Sequence, residues 1–324
     1  MNDDVLEKRD PTFSVNCSFA VYLRQRKAIE DKRMDGNGVP NYAFSLDHET
    51  RRKLDSIPGF YSTAKAITST YVSQTISLMS RTALAVGPDQ FPEIYAVAKD
   101  CARKLGIAVP NVFIDNDMSF NAYTIASDDI EPVVVIHNGL RNLLTLSELK
   151  FIIGHECGHI HNYHTAYNYV SQLILSAGVG LTSGVNAMLA TILSLGSTAA
   201  LSAWSRAAEV SADRAGMICA DSKEDSYSAI AKCLYGGTIG KTDSVNIGSI
   251  MEQLKYTMSN ITKYDELLSS HPSSARRLKA MQEFSECAVY YEWRPDLKKP
   301  GQIQRTKKET DMRCKQYIDL SAKG

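Results

Sequence analysis

The sequence predicts an α+β fold, mainly helical, with one small sheet. Three observations lead there. Strand-forming runs at Asn111–Ile114, Phe120–Ala126 and Val133–Ile136 lie close together in the chain, separated by turn residues. On either side of them, apolar residues recur at helical spacing. The pattern H-E-x-x-H, His155 to His159, then sits inside an apolar run that begins with the helix-start signature "TLSE" at 145–148.

Residues 1–60 are polar and mixed, with a loop signal at "MDGNGVPN" (34–41), and are expected to form an N-terminal segment packed on the body of the protein. In "YSTAKAITSTYVSQTISLMS" (61–80), Ala64, Ile67, Tyr71, Leu78 and Met79 fall near one helical face, while Lys65 and Arg81 argue against a membrane span. Pro92 at a first helical position, Glu93 in the first turn and Gly106 at the end bracket a helix striped by Ile94, Val97, Cys101 and Leu105. After the strands, the helix opened by Thr145 runs through the histidines. No charged residue occurs between Thr165 and Ser205. That stretch reads as a buried helical hairpin. Two membrane spans are the other reading, but each needs about 20 predominantly apolar residues, and Asn168, Gln172, Asn186 and many Gly, Ser and Thr dilute it. The chain beyond Arg214 reads as helical, with a Gly-rich break at 235–243. The main domain is expected over 61–290, and 291–324 as a basic, solvated C-terminal tail.

Composition narrows the function classes. Lys plus Arg and Asp plus Glu are both 36, so the formal net charge is zero, which gives no support to a nucleic-acid reader. The seven cysteines are dispersed, with no CxxC pair, which suggests reduced thiols in a cytosol. "MNDDVLEKRD" at the start is no signal peptide. A cytoplasmic location is expected, with membrane attachment through 170–204 as the less favoured alternative.

"GHECGHIHNYH" (154–164) carries four of the seven histidines. On a helix, His155 and His159 lie one turn apart on one face, a spacing that lets two imidazoles meet one Zn²⁺ at roughly 2.0–2.1 Å. Glu156 lies beside the pair and can reach a metal-activated water without ligating the metal. On a continuous helix His161 is turned about 240° from His155 and His164 is near the opposite face, so neither is expected to ligate the metal, and His164 is expected to pack or hydrogen-bond at the helix end. Phe151, Ile152, Ile153 and Ile160 make the helix a buried one, and Gly158 is expected to leave space beside the ligands. A catalytic zinc needs a third protein ligand and an open position. A third histidine ten residues after the first is absent, since that position is Thr165. The alternative is a later helix, "SRAAEVSADRAG" (205–216), where Glu209 can ligate and Asp213 can accept a hydrogen bond from a ligand histidine. An exposed acidic face is the other reading, and it fits less well among Ala207, Ala208, Ala212 and Ala215. Cys157 is expected to be a small buried hydrophobe.

Taken together, "LSELKFIIGHECGH", "SRAAEVSADR", "FNAYT" (120–124), "AKCLYGG" (231–237) and "SHPSSARRL" (270–278) resemble the M48 peptidases, the Ste24/HtpX-like zinc metalloendopeptidases of the gluzincin group, over about residues 43–285. The resemblance implies a zincin-like domain whose small antiparallel or mixed sheet carries a substrate-pairing edge strand, and one Zn²⁺ per chain. His155, His159 and Glu209 would be the zinc ligands, Glu156 the catalytic base and Asp213 a support to the ligands. Asn121, Ala122 and Tyr123 would lie on the edge strand. His271 and Arg277 match positions that approach the site, to stabilise the oxyanion or support the ligands; His271 before Pro272 could equally be a helix-start histidine. Ser270 stands where the family usually has threonine. No clear hydrophobic span precedes the zinc helix, so the chain looks like the soluble branch. The implied activity is endopeptidase cleavage of peptides or unfolded proteins by Glu-assisted attack of water at the zinc. Two alternatives stay open: a membrane-attached quality-control protease, and a catalytically silent, zinc-stabilised binding or chaperone-like protein.

Overall fold

A computed structural model describes residues 34, 39–127, 130–168, 198–235, 249, 252 and 274–319. The sheet comes from the three predicted strands and one short addition. β1 (Leu84–Ala85), β2 (Asn111–Asp115), β3 (Ala122–Ser127) and β4 (Ile130–His137) take the order β1-β2-β4-β3. β2 and β4 run parallel, and β3 returns antiparallel on β4, with Tyr123 opposite Val135 and Thr124 opposite Val134. Among the described residues β3 is therefore an edge strand, as the resemblance implied. Side chains alternate across a pleated strand, and here both faces are apolar. Phe113, Ile125, Val133 and Val135 meet Val72 of α2 on one face, while Val112, Ile114, Val134 and Ile136 join the main core on the other.

The helices account for most of the described chain. α1 (Ser45–Asp55) and α2 (Phe60–Thr82) precede β1; α3 (Pro92–Leu105) lies between β1 and β2, with Pro92 in its first turn and Gly106 closing it at φ 74°. A short α4 (Asn138–Leu143) leads into α5 (Leu146–His161), whose Thr145 and Glu148 form the predicted reciprocal cap. α6 (Thr198–Cys219), α7 (Lys223–Tyr235), α8 (Ser274–Phe284), α9 (Ala288–Trp293) and α10 (Lys307–Ile318) follow. The hairpin expected over 165–205 falls mainly outside the described residues; its last part, from Thr198, is the start of α6, where Leu201 and Trp204 are buried. No described helix is long and apolar enough to cross a membrane.

The contact that organises the core is α5 against α6. A Cβ on Gly158 would lie 2.6 Å from Ala215 Cβ and 3.0 Å from Ala212 Cα; one on Gly154 would lie 2.4 Å from Cys219 Cβ; one on Gly216 would strike the Phe151 ring at 2.7 Å. Small residues on both helices let the backbones approach closely. The space expected beside Gly158 is filled by α6, which corrects that expectation: the glycine serves helix packing.

The C-terminal residues also depart from expectation. They do not form a solvated tail as far as they are described, because α10 carries its own reciprocal cap at Thr306 and Glu309 and buries Thr310, Asp311, Cys314 and Ile318. Arg214, fully buried on α6, pairs with Asp311 at 2.8 Å and donates to the Tyr42 carbonyl at 3.0 Å. A buried guanidinium needs such partners, so the basic composition of 291–324 hid an anchor for α6. N-terminal residues 39–55 pack on the same helix: Phe44 N–H donates to Ser211 Oγ at 3.0 Å, and Tyr42, Phe44 and Leu54 are buried.

Gly158→Val should destabilise the protein by about 1–3 kcal/mol through overpacking, despite the better helix propensity of valine over glycine. Urea unfolding measures it; an unchanged midpoint would contradict the close helix contact.

Candidate metal centre and cleft

The chemistry of the site begins with the register of α5. His155 and His159, four residues apart, project from one face, and their rings meet edge to face with centroids 4.8 Å apart. Across the glycine–alanine contact, α6 brings up Glu209. Its carboxylate oxygens lie 3.6 Å from His155 Nε2 and 3.4 Å from His159 Nε2, and the two Nε2 atoms are 3.2 Å apart. Among the described residues, these three offer ligand atoms that all lie within 4.8 Å of one another, and all three residues are buried.

Donor chemistry fits a divalent cation. Three buried groups with lone pairs pointing at one place repel each other unless a proton or cation stands between them. Two imidazoles and one carboxylate are also the ligand types that suit Zn²⁺. The far sides of both rings are engaged, which leaves each Nε2 for the shared point. His155 Nδ1 lies 3.0 Å from Asp213 Oδ1, and His159 Nδ1 lies 2.9 Å from His164 Nδ1.

Arg277 on α8 closes this side. Its Nε and Nη2 donate to the two oxygens of Asp213 at 2.9 and 2.5 Å, and Nη1 lies 3.5 Å from Glu209. A guanidinium committed in this fork geometry bears on the acidic residues that face His155. Burial opposes ionisation of Asp213, yet Arg277 and then His155 hold its carboxyl below the usual range. His271 lies outside the described residues.

Glu156 lines the same cleft on the side of β3. Thr124 Oγ1 on β3 donates to Glu156 Oε2 at 2.6 Å, so the glutamate stands between the histidines and the edge strand. The cleft, about 260 Å³, is lined by His155, Glu156, His159, Glu209, Arg277 and residues 120–124 among others. Asn121 is exposed and sits one residue before the strand, where its carbonyl accepts from His137 N–H at 3.0 Å. Tyr123 turns to the opposite sheet face, toward Met79 and the His137 ring. Thr124 was missed by sequence reasoning; the period-2 alternation of β3 was the available signal, because it puts Thr124 and Ala122 on the face opposite Tyr123 and Ile125.

The two histidines not expected to ligate have different surroundings. His161 does pack away from the centre, against Tyr42 and Trp293, with its Nδ1 2.9 Å from Tyr42 Oη. His164 is likewise outside the ligand cluster and hydrogen-bonds at the helix end as expected, but its partner is the His159 ring, which a continuous helix would not allow. α5 ends at His161, and Tyr163 turns left-handed at φ 57°. His164 N–H then bonds the His159 carbonyl and Tyr163 N–H the Ile160 carbonyl, the paired closing bonds of a Schellman turn. This reversal folds the His164 ring back onto His159. Cys157 is fully buried, and burial pushes its thiol well above the ordinary value, which leaves an unreactive thiol.

Comparison with known proteins places the chain. The sequence profile of Peptidase family M48 matches residues 88–285, well over half of the chain, and this protein belongs to that family of proteases. It is 26% identical over 266 residues to the plastoglobule-localized metallopeptidase 48, chloroplastic, of Arabidopsis thaliana, covering 77% of this chain and 74% of that one. It is 23% identical over 240 residues to a protease HtpX homolog of Bifidobacterium longum, covering 66% of this chain and 78% of the relative. The crystal structure of S. mikatae Ste24p aligns over 73% of this chain and 61% of its own, at 17% identity and a TM-score of 0.44. Membership of a metallopeptidase family implies a metal, and the cluster of two histidines and a glutamate is where the described residues offer one a place.

Asp213 supplies a test by pH. Its folded pKa is depressed, so it contributes stability above the unfolded carboxyl value of about 3.9 and loses it as pH falls through the lower folded value. Arg277→Met removes the main cause of the depression. The acid-unfolding midpoint should then move to higher pH; an unmoved midpoint would show that the pair contributes nothing to the fold.

Proposed function

We propose that this protein is a zinc-dependent endopeptidase with His155, His159 and Glu209 as the metal ligands and Glu156 as the general base. The observation that carries the reading is the position of Glu156: one residue beyond the first ligand on α5, and held at 2.6 Å by Thr124 of the edge strand. A base so held lies within reach of both a metal-activated water and a peptide lying along β3.

Zinc, when bound, supplies Lewis-acid polarisation of water and of the scissile carbonyl. The residues do the rest. Glu156 takes the proton of the attacking water and passes it to the leaving amine. Asp213 orients His155 by accepting from its Nδ1–H, and Arg277 keeps Asp213 anionic for that purpose. An extended substrate adds its backbone to β3, an edge strand whose sheet partner β4 lies on one side only. In this pose Ala122 and Thr124 present the cleft face, while Asn121 marks the entrance. Recognition through main-chain hydrogen bonds suits peptides and unfolded proteins of varied sequence. A reducing, cytoplasmic location fits the six described cysteines, all of which are free thiols.

Glu156→Gln tests this directly. The variant should keep its zinc, measured by metal analysis, and lose cleavage of a quenched fluorescent peptide by about 100-fold or more. Cleavage at the parental rate would remove Glu156 from the role of base, and parental cleavage in the presence of a strong chelator would remove the metal from the reaction.

A further inference from the structure

Resting on the reading of His159 as a metal ligand, we propose that His164 and Asp47 are positioning residues that fix the tautomer and orientation of the His159 ring, so that the N-terminal helix α1 completes the metal centre. The chain of contacts is continuous and buried. His159 Nδ1 lies 2.9 Å from His164 Nδ1, and His164 Nε2 lies 2.9 Å from Asp47 Oδ2. Asp47 is held in turn by Trp204 Nε1–H on Oδ1 at 3.0 Å and by Ser211 Oγ–H on Oδ2 at 2.7 Å, both from α6. His164, Asp47, Trp204 and Ser211 are fully inaccessible to solvent.

The proton order follows from these partners. Asp47 accepts from Trp204 and Ser211, so it behaves as an acceptor throughout. His164 must therefore donate from Nε2. A neutral His164 then has a lone pair at Nδ1, and the only hydrogen that can fill the 2.9 Å contact is the one on His159 Nδ1. With its proton at Nδ1, His159 has a bare lone pair at Nε2, the atom that faces His155 and Glu209. Asn168 places its side-chain Nδ2 3.2 Å from the same His159 nitrogen; a hydrogen on that nitrogen requires the amide oxygen, not Nδ2, to face it.

The two ligand histidines are thus supported differently. His155 leans on a carboxylate of the same helix that carries Glu209, braced by Arg277. His159 leans on a second imidazole and, through it, on a carboxylate from α1. Asp47 precedes the stretch that matches the family profile, residues 88–285, so this support is built by a part of the chain outside the matched region. Tyr163 in a left-handed conformation, where glycine is the usual occupant, is the local feature that brings His164 into line.

Asp47→Asn in the full-length chain is the test. The asparagine oxygen accepts from Trp204, its NH2 faces His164, and the proton order reverses: His164 then donates from Nδ1 toward His159, which must carry its proton on Nε2. Zinc affinity, measured by competition with a chelating indicator, should fall about 10–100-fold in a variant whose thermal unfolding stays cooperative. A folded variant with parental affinity would overturn the proposal. Should the variant fail to fold, side-chain ¹⁵N NMR of the zinc-loaded parent decides. Protons on His159 Nδ1 and His164 Nε2 support the proposal, and the opposite placement overturns it. A parent that takes up no zinc refutes the metal-ligand reading and this inference together, a result distinct from a parent and a variant that bind equally well.

Discussion

The close approach of α5 and α6 is the constraint on which the rest depends. Neither helix holds a complete site. α5 carries two imidazoles and a glutamate; α6 carries the carboxylate that faces them and the one that supports His155. They meet closely because Gly158 packs on Ala212 and Ala215, Gly154 leaves room for Cys219, and Gly216 leaves room for the Phe151 ring. Backbones brought this close set Glu209 within 3.4–3.6 Å of both ring nitrogens. A packing detail fixes the geometry of a chemical centre.

Around that crossing the chain builds successive layers of support. Asp213 and Arg277 brace one histidine, while Asp47 and His164 brace the other. Arg214, one residue after Asp213, is itself buried and tied to Asp311 of the C-terminal helix. Burial drives Asp311 toward neutrality, yet the guanidinium of Arg214 beside it keeps its carboxyl below the usual range. Sequence segments from both ends of the described chain thus converge on α6. The buried pairs Asp213–Arg277 and Arg214–Asp311 match charge with charge, as buried charges require, and they join helices that the sequence pattern alone does not connect.

Much of this was legible before any coordinates. The helix bracketed by Pro92 and Gly106, the cap at Thr145, and the three strands all appear where local chemistry put them, because each depends on residues only a few positions apart. The pairing of His155 with His159 is equally local. Glu209 was reachable because a zinc site needs a third ligand and few acidic residues sit among so many alanines. What stayed hidden is long-range or conformational. The contact of His164 with His159 depends on the left-handed Tyr163, which gives no advance notice in composition. Asp47, 117 residues from His164 in the chain, looked like any other surface acid. The charge of 291–324 suggested solvent, although α10 buries one face of an otherwise polar helix.

The central claim is that two imidazoles and one carboxylate share a single zinc ion. X-ray absorption at the zinc edge, on protein loaded with one equivalent, reads that claim most directly. The account predicts a first shell of nitrogen and oxygen at about 2.0–2.2 Å with the outer-shell pattern of two imidazole rings. A sulfur shell at about 2.3 Å, which would put the metal on cysteine, or a shell with fewer than two imidazoles, would contradict it.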